Sequence, residues 1–189
     1  MFGMGKIKQY AAREDMSEVE SWLVGQSLRF AAELVEAHKE VPQILAATEG
    51  LAVMLHALRR ETYRAAEFKV WDTIFEPSVK QMYPLFAMTL AAWMGVELDR
   101  ATMARDAETV VSTRNLEYQT VPFLYSPVED RQTVVWAGSR RLADAIDPAR
   151  REDAMATVQK LYARFVEFAL PEQVANLSRI LYGRRTAAA

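Results

Sequence analysis

Residues 82–96 read MYPLFAMTLAAWMGV, fifteen positions without a charge between Lys80 and Glu97. Four structures suit such a run: a membrane span, a ligand chamber, a docking surface, or the middle of a core. A spanning helix needs about 20 apolar residues. This run is shorter, holds Pro84 and Thr89, and is flanked by charge, so no membrane span is expected. Its large side chains, Leu85, Phe86, Met88, Leu90, Trp93, Met94 and Val96, fall on every side of a helix. A helix apolar all round is one enclosed by other helices. The stretch therefore predicts a mostly buried central apolar helix near 82–98 in an all-α fold. Its rival role is functional. Phe86, Trp93 and Met94 could line an apolar pocket or meet a partner, with Met82 and Met88 adding adaptable, polarizable surface.

Outward from this stretch, the punctuation is helical. Ser17 and Glu20 form a capping box ahead of Val19, Trp22, Leu23, Phe30 and Leu34. A first helix over 17–40 follows, ended by Pro42, which disfavours helix at Val41. From Pro42, the spacing of Ile44, Thr48, Leu51, Leu55 and Leu58 predicts a second helix reaching toward Glu76, with a break near Gly50 or RRET at 59–62 as an option. EPSVKQMYP at 76–84 reads as a corner. Asp99 is an N-cap for a helix over 100–117, with Met103, Ala107, Val110 and Val111 inward. Ser126, Pro127 and Glu129 form the clearest capping signal, opening a helix that carries Val128, Val135, Gly138, Leu142 and Ala145 on one face. Asp147-Pro148 repeats the device ahead of Met155, Val158, Tyr162, Phe165, Val166 and Ala169. Leu170-Pro171 opens a short last helix that Gly183 closes. The expected organisation is a flexible N-terminal arm over 1–16, one α-helical bundle of six or seven helices over 17–183, and a frayed tail over 184–189.

Composition narrows the function classes. The chain has 189 residues, 51% hydrophobic and 25% charged, the balance of a folded protein with one core. A net charge of −2 gives no general attraction to nucleic acid or anionic lipid. Arginines in SRRLADAIDPARRED sit around a helix-turn-helix-like corner, but Glu152 and Asp153 interrupt the charge and Met155, Val158 and Tyr162 face inward. No nucleic-acid partner is expected. With no cysteine, thiolate metal sites, disulfides and cysteine nucleophiles are excluded. The start MFGMGKIKQYAARED has neither the apolar segment of a signal peptide nor glycine in second place, so the expected location is cytoplasmic.

Catalytic and metal-binding patterns are absent from the sequence. Di-iron bundles use Glu-x-x-His on two helices, whereas Val35 and Val53 stand three positions before the two histidines, His38 and His56. Glu36, Glu40 or Glu49 could join those histidines only if the helices brought them together. The expectation is no metal and no cofactor. No G-x-S-x-G elbow or phosphate-binding glycine loop occurs. The distinctive feature is the loop QTVPFLYSP at 119–127, with Phe123, Leu124 and Tyr125 between two prolines. It is either a lid on the bundle end or a binding surface. The sequence thus favours a non-enzymatic helical interaction or assembly protein, a homo-oligomer or complex subunit, with Phe86, Trp93, Met94, Phe123, Leu124 and Tyr125 as candidate contacts. One alternative is a carrier or sensor of an apolar small molecule. The other is an enzyme using carboxylates and tyrosine without a readable motif.

Overall fold

Every residue from 46 to 58 is buried, and that run organises the fold. A computed structural model describes residues 3–65, 76–97, 99–126, 130–146 and 148–186, with side-chain surroundings over 18–64, 79–97, 99–126, 131–146 and 149–177. The described residues form an all-α bundle of six helices: α1 (Gly3–Ala37), α2 (Gln43–Ala65), α3 (Glu76–Met94), α4 (Arg100–Gln119), α5 (Val134–Ala143) and α6 (Arg151–Thr186). None of them is long and apolar enough to cross a membrane.

The central helix is α2, which packs against all five others. Its neighbours approach through small residues. A Cβ on Gly50 would lie 2.8 Å from Phe30 Cδ1 of α1, and one on Gly138 of α5 would lie 2.8 Å from Val53 Cγ2. Gly50 is therefore the notch that seats Phe30, and the helix does not break there. Phe30 in turn stacks on Tyr162 of α6, with centroids 4.2 Å apart.

The 82–98 segment holds its place in the core through one face only. Val79, Met82, Tyr83, Phe86, Ala87, Leu90 and Ala91 are buried on a three-four spacing. Met88 is 45% exposed, Val96 is also exposed, and Leu85, Trp93 and Met94 are half-buried. Uniform hydrophobicity suggested enclosure; α3 instead lies on one side of α2, and its outer apolar face meets solvent. The corner expected at 76–84 is helix, with Pro84 at an exposed position where the lost backbone donor is on the solvent side.

Other boundaries moved for identifiable reasons. Helix α1 begins at Gly3, so the Ser17–Glu20 box and most of the expected arm lie within it; no proline interrupts that stretch. The expected continuation of α2 over 66–75 and the residues Pro127, Val128, Glu129 and Asp147 lie outside the described residues. Asp99 does cap α4, accepting from Ala101 N at 3.1 Å. Helix α5, by contrast, is capped by Thr133, whose Oγ1 accepts from Trp136 N at 3.0 Å. A turn of 3₁₀ helix precedes that cap, over Asp130–Gln132. Pro171 lies inside α6, which continues through Gly183 to Thr186 rather than ending in a separate short helix. Its exposed position leaves the freed carbonyl of the preceding turn to water.

Candidate functional site

The run 46–58 contains one ionisable carboxylate, and it is fully buried: Glu49, at 0% exposure. Three side chains from two other helices close on it. Arg114 Nε of α4 donates to Oε2 at 3.2 Å, while Arg141 Nη1 of α5 donates to Oε1 at 3.3 Å. The Tyr118 hydroxyl also donates to Oε1. Arg141 reaches Tyr118 Oη at 3.1 Å as well, and both arginines pair with Glu117. Two carboxylates therefore face two guanidinium groups, and the charges balance within the cluster. Burial, reinforced by the negative charge of Glu49, pushes the Tyr118 phenol far above its usual range, so it stays a donor. For Arg141 burial acts downward, but Tyr118, Glu49 and Glu117 outweigh it and hold the guanidinium charged. Tyr162 is also raised well above its ordinary value, first by burial and then by Glu49 and Tyr118. The cluster ties α2, α4 and α5 together at the level of Gly138, where a Cβ would meet Tyr118 Oη at 3.3 Å.

Tyr118 also belongs to a second feature. Its ring meets His56 edge-on, centroids 5.6 Å apart at 66°. Both line a cleft of about 590 Å³ between the last turns of α2 and α4, together with Arg59, Arg60, Tyr63 and Arg64. The stripe His56, Arg59, Arg60, Tyr63 follows the i, i+3, i+4, i+7 spacing of one helix face. Arg60 braces the far wall, donating to the carbonyls of Val121 (3.1 Å) and Pro122. Burial, with positive charge from Arg60 and Arg59 added, holds the His56 imidazole down at about 4. Asn115 is close enough to act on that ring in the opposite sense. The two do not meet in hydrogen-bond geometry: His56 Nδ1 and Asn115 Oδ1 are both buried without a partner.

The loop after α4 is pinned from both sides. Besides the Arg60 brace, Val134 N donates to Phe123 O at 3.0 Å and Val135 N to Leu124 O at 3.2 Å. Phe123 and Thr133 form an isolated parallel bridge. These bonds satisfy the first amides of α5, which starts at Val134. Side chains then alternate. Val121 and Leu124 pack on the core, while Phe123 and Tyr125 stand 46% and 37% exposed. The loop is thus partly a lid and partly a presented surface.

The other candidate contacts are dispersed. Phe86 is fully buried. It lines, with Leu90, Ile44, Met103, Ala107 and Val110, a mainly apolar cleft of about 340 Å³ between α2, α3 and α4. Trp93 and Met94 are half-buried against the core and are not part of that cleft. The structure does not bring the six residues into one site. The histidines do not converge on a shared carboxylate either, since Glu49 is engaged by Tyr118, Arg114 and Arg141. Among the described residues, no group of three or more His, Asp and Glu side chains could hold a metal ion. The sequence suggested Glu49 only as a partner for the histidines and gave no sign of Arg114, Tyr118 and Arg141. The available signal was a lone carboxylate in the run AATEGLAVMLHAL at 46–58.

Compared with protein-family models, curated proteins and solved structures, the chain matches none.

Proposed function

We propose that this protein is a non-enzymatic helical interaction or assembly protein, acting in the cytoplasm as a homo-oligomer or as a subunit of a larger complex, with the loop of Phe123 and Tyr125 as its docking surface. The observation that carries this reading is the fixed presentation of two exposed aromatic rings. Four backbone carbonyls in that loop, those of Val121, Pro122, Phe123 and Leu124, accept hydrogen bonds from α2 or α5. An aromatic side chain on a rigid loop loses little freedom on binding, so more of its burial energy appears as affinity. Leu124 supports the loop from beneath, and Phe86 lies buried away from it. No nucleic-acid partner is part of the proposal.

Native mass spectrometry and light scattering of the full chain test it. The expected result is multiples of the 21.5 kDa chain, or a stoichiometric protein partner, lost in Phe123→Ala/Tyr125→Ala without a change in melting temperature. A bare monomer, or assembly that persists in the double variant, overturns it. The apolar cleft beside Phe86 and Leu90 supports a second reading, a carrier of an apolar small molecule. That reading requires a small-molecule adduct in the same spectra, displaced by Ala107→Trp.

A further inference from the structure

We propose that the cleft between α2, α3 and α4 binds a small primary amine, a charged ammonium head on an apolar body. This rests on the carrier reading of that cleft, adds the head group of its ligand, and is independent of the docking loop. The cleft, about 340 Å³, is of the size that encloses a small ligand. Its walls are apolar and open to contact: Ile44 of α2 and Val110 of α4 stand 47% and 37% exposed, and Met103 is half-buried. Phe86, Leu90 and Ala107 are buried and close the floor, so contact falls to the walls. An apolar body laid between Ile44 and Val110 takes their exposed surface out of water, and Met103 adapts to its outline.

The ionisable groups of the lining are of one sign. Asp99 and Asp106 line the cleft, and no Lys, Arg or His does so among the described residues. Asp99 is committed to its own helix, accepting from Ala101 N and Thr102 Oγ1. Arg105 donates to Ala101 O and Thr102 Oγ1, and its charge acts on Asp99. Asp106 is the carboxylate left over. It is exposed and has no ion pair among the described residues. The residues three and four positions away on α4 are Thr102, Met103, Thr109 and Val110, none of them basic. A carboxylate only accepts hydrogen bonds and an ammonium only donates them, which makes the two complementary.

A second observation lies in the same lining. Thr48 of α2 is only 6% exposed. The hydroxyls of Thr62 and Thr89 donate to the carbonyl one turn back, at 2.7 and 2.8 Å. That of Thr48 has no hydrogen-bond partner among the described residues, and it borders the cleft instead of being sealed in the core. A polar group so nearly buried is normally satisfied, and an ammonium N–H would satisfy this one. A free carboxylate and a free hydroxyl in an otherwise apolar lining select an amine over an anion.

The test is a titration of the full chain at low salt with hexylamine, hexanol and hexanoate, followed through the NMR methyl signals of Ile44, Met103 and Val110. Hexylamine and hexanol should shift these signals and hexanoate should not. Asp106→Asn, a change at an exposed position, should weaken hexylamine by about threefold to fivefold and leave hexanol unchanged. Added sodium chloride should weaken hexylamine alone. Ile44→Ala should weaken both probes through the wall, and Thr48→Val should weaken both through the lost hydroxyl. Hexylamine binding that Asp106→Asn leaves unchanged, or hexanoate binding as tightly as hexylamine, overturns the amine inference while the carrier reading stands. If no probe shifts the three methyl signals, both fail. Phe123→Ala/Tyr125→Ala should bind hexylamine like the parent, so the interaction reading is tested separately.

Discussion

Glu49 is the residue whose removal tests the buried polar cluster most directly. Taking away one partner of a buried ion pair leaves the other charges desolvated and unpaired. Arg114 and Arg141 retain side-chain exposures of 26% and 28%, so part of their charge can turn to water. Glu49→Ala should therefore cost about 3 kcal/mol, the lower end for a broken buried pair, measured by urea denaturation. A loss near zero would mean that the cluster contributes no stability. His56 makes a pH prediction. Its folded-state value of about 4 lies below the ordinary 6.5, so the unfolded chain takes up a proton that the native fold excludes. Stability from this group is complete above pH 6.5 and declines as pH falls toward 4. The decline amounts to about 3 kcal/mol. In His56→Gln, the stability difference between about pH 7 and about pH 4.5 should shrink accordingly; an unchanged difference would contradict the burial of a neutral imidazole.

At the scale of elements, prolines and caps decided less than their sequence signals suggest. Pro171 sits at an exposed position inside α6, where it removes one backbone donor without ending the helix. Because alanine propagates a helix that proline weakens, Pro171→Ala should raise stability by about 1–3 kcal/mol. Thermal melts would show this, and a destabilised variant would point to a required bend at that turn. The caps at Asp99 and Thr133 illustrate the same competition. Asp99 was legible because its carboxylate has only its own helix to serve, bonding Ala101 N and Thr102 Oγ1. The cap expected at Ser126 involves residues 127–129, outside the described residues; α5 itself is capped at Thr133, where the loop carbonyls of Phe123 and Leu124 take the amides of Val134 and Val135. That pairing joins residues about ten positions apart and leaves no local signature.

At the scale of the molecule, α2 touches every other helix and is buried on all sides from 46 to 58. Amides in that run should exchange with deuterium only through global unfolding, as the most protected in the chain. Protection lower than in α3 would restore the 82–98 helix to the centre. The helical class, the absence of long strands and the inward face of α6 were readable because periodicity and helix-terminating residues are local properties. The choice of central helix was not. Hydrophobicity ranked MYPLFAMTLAAWMGV above AATEGLAVMLHAL, yet Gly50, the small alanines and Gly138 let neighbours approach the second run more closely.

The sequence by itself determined an all-α bundle without disulfides and a loop whose aromatics stand between two prolines. It also determined the stripe His56, Arg59, Arg60, Tyr63 on one face of α2, since helical spacing alone aligns those residues. Only the tertiary structure decided that Glu49 is buried among Arg114, Arg141 and Tyr118, and that the basic stripe faces Tyr118 across a cleft. The physical reason is range. A helix face follows from residues three or four apart, whereas Glu49 and Arg141 are separated by 92 positions, and a charge so distant is brought to its partner only by the packing of helices.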